Sequence, residues 1–212
     1  MKKVNFFFKK RNKIYFFDVL SNLNIKAEKT HINSSISDIQ NLEQAKKNDI
    51  TFFHSLKYKD SLIATKSNFI LTNTKLSKHV PSSKVKIIVQ NVLLSVAKLT
   101  EFFYPNSLEE QFEKKIIKVG KEKKYKNVKF GSNVLLGENV KIGKNSKIGH
   151  NSIIESNVII GKNCNIGSNV VIKKTIIGDD VFILDGAIIG KKGFGFFPNK
   201  NKNIRYPHIG MV

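Results

Sequence analysis

The chain has 212 residues, with 37 lysines and arginines against 16 aspartates and glutamates, a formal charge of +21 and a single cysteine, Cys164. One cysteine excludes an intrachain disulfide, the absence of a CxxC or Cys/His cluster gives no metal site, and 41% hydrophobic residues, 16 of them phenylalanine, suffice for a folded core. The charge invites anionic partners, but only Arg11 and Arg205 are arginines; base readout and bidentate phosphate clamps favour arginine, so lysines spread along the whole chain read as a general bias and no nucleic acid is expected.

The opening "MKKVNFFFKKRNKIYFF" holds an apolar run, Val4 to Phe8, broken by Asn5 and stopped by Lys9, Lys10 and Arg11. A secretory core needs about 7–15 apolar residues and a membrane-spanning helix about 20. The expectation is a cytoplasmic chain without a transmembrane segment, with Phe6, Phe7 and Phe8 as packing residues. "IYFFDVLSNL" predicts a short helix, "DITFF" a strand, "KYKDSLIATK" a helix leading into strand "NFILT", and "VKIIVQ" another strand. In "NVLLSVAKLTEFFY", Val92, Val96, Leu99 and Phe103 share a helical face, stopped by Pro105. Strands alternating with helices predict a small α/β domain over residues 1–105. Residues 106–126, polar and lysine-rich, read as a linker, helical or a degenerate first coil.

From residue 127 a different rule governs. Asn stands at 127, 133, 139, 145, 151, 157, 163 and 169, and three residues after each comes Phe130, Leu136, Ile142, Ile148, Ile154, Ile160, Ile166 or Ile172. Glycine follows in all units but two, where Glu155 and Lys173 stand instead, and the residue after each Asn is small or β-branched. Side chains of a strand alternate faces, so Val140 and Ile142 point one way and Lys141 the other. Six residues then make one short strand and one corner, and a corner needs a residue tolerant of positive φ, as Asn and Gly are. Units of this kind stack into a parallel β-helix with the aliphatic column inside. The beat slips by one residue at "KKTIIG", to be absorbed at a corner, and Ile177, Ile183 and Ile189 resume it. "GKKGFGFFPNKNKNIRYPHIGMV" predicts a loop leaving the solenoid near 191–206, after which "HIGMV" re-enters it.

With these segments in view, the chain resembles the bacterial UDP-3-O-(3-hydroxyacyl)glucosamine N-acyltransferases of lipid A biosynthesis. "SDIQNLEQAKKNDITFFHSLKY" is similar to that family's N-terminal signature, and "AIIGKKGFGF" with "PHIG" to its excursion from the β-helix. The resemblance implies a uridine-binding α/β domain, a left-handed β-helix over 127–212, a homotrimer, and an acyl-carrier-protein thioester as co-substrate with no other cofactor. The left hand comes from the resemblance alone, since parallel crossovers are ordinarily right-handed.

The implied reaction is attack of the 2-amine of a UDP-3-O-acyl-glucosamine on a 3-hydroxyacyl thioester, which needs a proton acceptor and a stabilised oxyanion. In the family a histidine of an Ala-His-Asn segment is the base. No such segment occurs up to Val212, so no catalytic residue is assigned, and the chain is expected to be C-terminally truncated and inactive by itself. The family stacks uracil between aromatics of a Phe-x-x-Asn-x-x-Tyr pattern, which reads here as Phe52, Ser55 and Tyr58. These are the expected substrate-binding residues. Ser55 departs from the pattern, a hydroxyl replacing an amide that both donates and accepts. The plainer reading makes Phe52 a core residue and Tyr58 a helix start. His54, beside the nucleotide signature, reads as a solvent-exposed loop residue with a phosphate contact as the alternative, His150 as an outward-facing surface residue, His208 as structural, and Cys164 as a buried, inert thiol. Lys57 and Lys59 read as solvated charges that add to the field attracting anions. Two readings stay open beside the first: a hexapeptide O-acyltransferase or acetyltransferase on another nucleotide sugar, and a non-catalytic nucleotide-sugar-binding scaffold.

Overall fold

A computed structural model describes residues 7–26, 31–109, 112–119, 125, 127–198 and 203–212. Phe6, parts of the 106–126 segment and the middle of the 191–206 loop lie outside the described residues. The chain divides into two compact units, one of residues 9–109 with 195–207, the other of residues 1–8, 110–194 and 208–212.

In the first unit, β1 (Ile14–Tyr15) pairs antiparallel with β2 (Ser35–Ile36) around α1 (Phe16–Asn22). Asp18 starts that helix by accepting from the Tyr15 amide at 2.8 Å, a reciprocal cap on an otherwise orphan donor. Three parallel strands follow in the order β3 (Ile50–Phe52), β4 (Phe69–Thr72), β5 (Val85–Ile88). Short α2 (Lys59–Ala64) carries the chain from β3 to β4. β4 is buried along its whole length, as expected of the middle strand of a parallel sheet. Phe53, Leu62, Ile70, Leu42 and Val80 close one core. α3 (Val92–Phe103) is capped by Asn91, whose Oδ1 accepts from the Leu94 amide at 3.0 Å, and it buries Val96, Leu99 and Phe103 as its apolar spacing demands. Two buried hydroxyls are satisfied, Ser67 Oγ donating to the Asp49 carbonyl at 2.7 Å and Thr72 Oγ1 to the Phe53 carbonyl at 2.9 Å, while Thr51 Oγ1 in β3 is buried without a partner among the described residues. The loop from the solenoid contributes a hairpin here, Phe196–Phe197 against Ile204–Arg205.

The second unit is a three-faced parallel coil. One face stacks Lys129–Phe130, Lys147–Ile148, Asn165–Ile166 and Phe182–Ile183; the next Leu135–Gly137, Ile153–Ile154, Val171–Ile172 and Ile188–Ile189; the third Lys141–Ile142, Ile159–Ile160 and Ile176–Ile177. Val134, Leu136, Val140, Ile148, Ile154, Val158, Ile160, Cys164, Ile166, Val170 and Ile172 are all buried inside, with Phe130 and Ile142 packed against them. All eight repeat asparagines have φ between 55° and 65°. Their amides form ladders between coils, Asn133 Nδ2 donating to Asn151 Oδ1 at 3.3 Å and Asn139 Nδ2 to Asn157 Oδ1 at 3.3 Å.

The glycine column exists because coils approach closely: a Cβ on Gly149 would collide with the Gly167 carbonyl. Glu155 and Lys173, the two departures, occupy one corner on successive coils and pair there at 2.8 Å. The one-residue slip falls between Asn169 and Lys174, which turns the corner at φ 48°. Asp180 and Gly186 turn the next two corners at φ 61° and 75°. The solenoid start differs from its expectation as a helix or degenerate coil: Ile116–Lys118 is a strand running antiparallel to Leu135–Gly137, covering the edge of the first coil. At the other end the Val212 carbonyl accepts from the Ile176 amide at 2.8 Å, so the returning chain begins a further coil.

Candidate nucleotide-binding cleft

Strand alternation places the candidate site. Phe53 points into the core at 0% exposure and donates its amide to the Leu71 carbonyl at 2.8 Å. Phe52 and His54, on either side of it, therefore face the opposite way. Just beyond β3, Leu56–Tyr58 forms one 3-10 turn that swings Tyr58 back to the same side. The three rings stand in sequence, Phe52 to His54 at 5.8 Å between centroids and His54 to Tyr58 at 5.2 Å, tilted by 33° and 39°. Together with Asn41, Leu42, Glu43 and Ser61 they line an open cleft of about 340 Å³. Ser61 Oγ donates to Glu43 Oε1 at 3.4 Å across its rim.

Of the three residues expected at the site, Phe52 and Tyr58 line this cleft and Ser55 does not. The Ser55 hydroxyl accepts from the Lys57 amide at 3.4 Å and caps the turn. Lys57 and Lys59 are exposed and away from the lining. His54 lies in the loop between β3 and the 3-10 turn as expected, but it is half-buried in the cleft wall and not solvent-exposed. Its Nδ1 is buried with no hydrogen-bond partner among the described residues, and burial pushes its pKa below the ordinary histidine value. The period-two pattern of "DITFF" points to it only if carried beyond the strand, where position 54 then shares the face of position 52.

Other singled-out residues are engaged elsewhere. His150 is exposed, but its Nδ1 accepts from the Ser132 amide at 2.8 Å, closing a β-helix corner. Ser156, Asp179 and Asp185 accept in the same way from Glu138, Lys162 and Ser168 amides. His208 packs its ring on Gly193. Cys164 is buried, with its thiol donating to the Gly178 carbonyl at 3.1 Å. Phe8 packs under the Lys174 ammonium at 4.8 Å. Among the described residues no helix is long and apolar enough to cross a membrane.

Residues 33–102, which contain the whole cleft, match the family model of UDP-3-O-(3-hydroxymyristoyl) glucosamine N-acyltransferase. Residues 139–174 match the bacterial transferase hexapeptide model. Curated proteins called UDP-3-O-acylglucosamine N-acyltransferase from Rickettsia massiliae and Rickettsia prowazekii are each 44% identical over 190 residues, 89% of this chain and 55% of the relative. The chain carries the matching domain of this N-acyltransferase family followed by hexapeptide repeats. Its parallel coil is accordingly a left-handed β-helix of hexapeptide repeats. The chain spans about half the length of these curated family members.

Proposed function

We propose that this chain forms the nucleotide-recognising and solenoid portion of an N-acyltransferase of lipid A biosynthesis. In this reading the uracil of a UDP-3-O-acyl-glucosamine enters the cleft beside Phe52 and Tyr58. The 2-amine nitrogen then attacks the thioester carbonyl of a 3-hydroxyacyl chain on acyl-carrier protein. An amide bond forms, the C–S bond breaks, the carrier thiol leaves, and the amine proton passes to a base. No histidine of this chain is given that role. His150 Nδ1 is already bonded in a corner, and His54 sits at the base end of the substrate. No metal or organic cofactor takes part, because the thioester already holds the acyl group activated.

The observation that carries the reading is the lining of the cleft. Despite the chain's charge of +21, no lysine or arginine is among the described residues that line it, which are three rings, Leu42, the small polar Asn41 and Ser61, and one carboxylate, Glu43. Such a lining takes a flat, neutral, stackable group and leaves a diphosphate outside, near exposed lysines such as Lys57. The expected quaternary state is a homotrimer in the cytoplasm. Supporting that, the outward side chains of one solenoid face are Leu135, Ile153, Val171 and Ile188, an apolar column ending at Ile188, which is 53% exposed.

The test is calorimetric titration of the purified chain with UDP-N-acetylglucosamine and UMP. Stacking on one aromatic is worth about 1–3 kcal/mol per base, so Phe52→Ala and Tyr58→Ala should each weaken binding roughly 5- to 150-fold. Absence of uridine-nucleotide binding at millimolar concentration, with Phe52→Ala equal to the parent, overturns the reading.

A further inference from the structure

The imidazole of His54 is in contact with both rings proposed to hold the base, and none of the described residues uses its hydrogen-bonding capacity. The ring sits 5.8 Å from Phe52 and 5.2 Å from Tyr58. Nδ1 is turned inward, buried and unpartnered among the described residues, so Nε2 is the polar atom the ring offers to the cleft it lines. A buried N–H without an acceptor is a rarer and costlier orphan than an acceptor without a donor. The proton of the neutral ring therefore sits on Nε2, with the bare lone pair of Nδ1 inside. Burial keeps the ring neutral, in keeping with this assignment.

The position that would otherwise supply an edge-reading group is spent. Ser55 Oγ is occupied at the cap of the 3-10 turn and is absent from the lining. Of the other polar lining residues, Asn41 Oδ1 already accepts from the Gln44 amide at 2.9 Å and Ser61 is already bonded to Glu43.

We infer that His54 is the specificity-determining residue of the cleft, donating from Nε2 to a carbonyl oxygen on the edge of a stacked pyrimidine and so selecting uracil over cytosine. The inference rests on the proposed base site and adds to it the group that reads the base. Uracil presents a carbonyl at C4, where cytosine presents an amino group. A fixed N–H donor matches the first and meets a second donor in the other, leaving both unpaired. Phe52 and Tyr58 stack on either base alike, so discrimination must come from an edge contact.

The experiment measures UMP and CMP affinities by calorimetry for the parent chain, His54→Phe, His54→Gln and Phe52→Ala. The parent should prefer UMP by about tenfold or more. His54→Phe keeps a ring of similar shape in the stack and removes the donor; it should lose the preference chiefly by weakening UMP, with CMP nearly unchanged. His54→Gln, which keeps an N–H donor, should retain part of it. Equal weakening of both nucleotides in His54→Phe, or an unchanged preference, overturns the role of His54 while leaving the stacking site standing, provided Phe52→Ala weakens both. If the parent binds neither nucleotide, the base site falls and the role of His54 falls with it. Thermal unfolding of each variant separates loss of fold from loss of recognition.

Discussion

The two units of this molecule are held together by different kinds of order. In the β-helix every coil repeats one solution: an asparagine at positive φ, an inward aliphatic, and a glycine where the next coil passes close. Each coil leans on its neighbours above and below, so its energy is a sum of similar small terms. The α/β unit instead has an aperiodic core, in which Phe53 just beyond β3, Leu62 of α2 and Ile70 of β4 meet. The repeating unit is robust and chemically monotonous. The aperiodic unit is more exposed to single changes, and it is the one that assembles three different rings around a cleft. A recognition site needs unlike groups at chosen positions, which a repeat cannot supply without breaking its rule.

That contrast can be broken most forcefully at the cores. Phe53→Ala removes a fully buried ring and should cost about 3–5 kcal/mol, a loss felt across the sheet because Leu62 of α2 and Ile70 of β4 share its core. Ile154→Ala, equally buried in the solenoid, should cost about 2–5 kcal/mol, but the damage should stay within adjacent coils. Hydrogen exchange separates the two: loss of protection across β3, β4 and β5 in the first case, and only in strands stacked on Ile153–Ile154 in the second. Unit-wide loss of protection from Ile154→Ala would erase the distinction.

Corners come next in size. Gly149→Ala drives a Cβ against the Gly167 carbonyl and should destabilise by about 1–3 kcal/mol, as overpacking does. Asn151→Ala places a Cβ without a local hydrogen-bonding side chain at φ 55° and ends the amide ladder from Asn133; it should cost about 1–2 kcal/mol. Asn151→Gly should recover most of that, because glycine accepts positive φ freely. Urea midpoints of the three variants rank these costs, and equal midpoints for Asn151→Ala and Asn151→Gly would show that φ is not what the repeat asparagines are for.

The same contrast explains what could be read from the amino acids alone. Period six marks the solenoid because each corner sets a local demand on φ that only a few residue types meet; eight asparagines announce eight corners. Lys174 was hidden because lysine is not a residue of left-handed turns; stacking on the previous coil holds it there at φ 48°. The strand Ile116–Lys118 was hidden because it is made by its partner, the open edge at Leu135–Gly137, and not by its own lysine-flanked sequence. In the cleft, Phe52 and Tyr58 were legible as a motif, but the fate of Ser55 was not. Its hydroxyl had two uses, cap or ligand, and the 3-10 turn at Leu56–Tyr58 decides between them. The partial burial of His54 was hidden because it lies in the loop beyond β3, where strand alternation no longer announces which side chains face the protein.

The smallest expected effect concerns the protonation of that histidine. Burial lowers the pKa of His54 in the folded chain, while the unfolded chain keeps about 6.5. Below that value the unfolded state binds more protons, so the contribution of the neutral ring is fully present above pH 6.5 and is lost as pH falls toward the folded value. The ring is partly open to water, which keeps the effect small. Glu43 lines the same cleft in parent and variant, so the measurement is the difference between parent and His54→Phe across about pH 7.5 to 5.5. The stability of the parent should fall relative to the variant on the acid side. A uridine nucleotide, if it accepts from Nε2–H, should not flatten this trend by favouring a neutral ring, since the imidazolium keeps the same donor; it should raise both ends alike. A difference that stays level with pH would mean that the folded ring is charged as easily as the unfolded one, and that the inward Nδ1 is within reach of solvent.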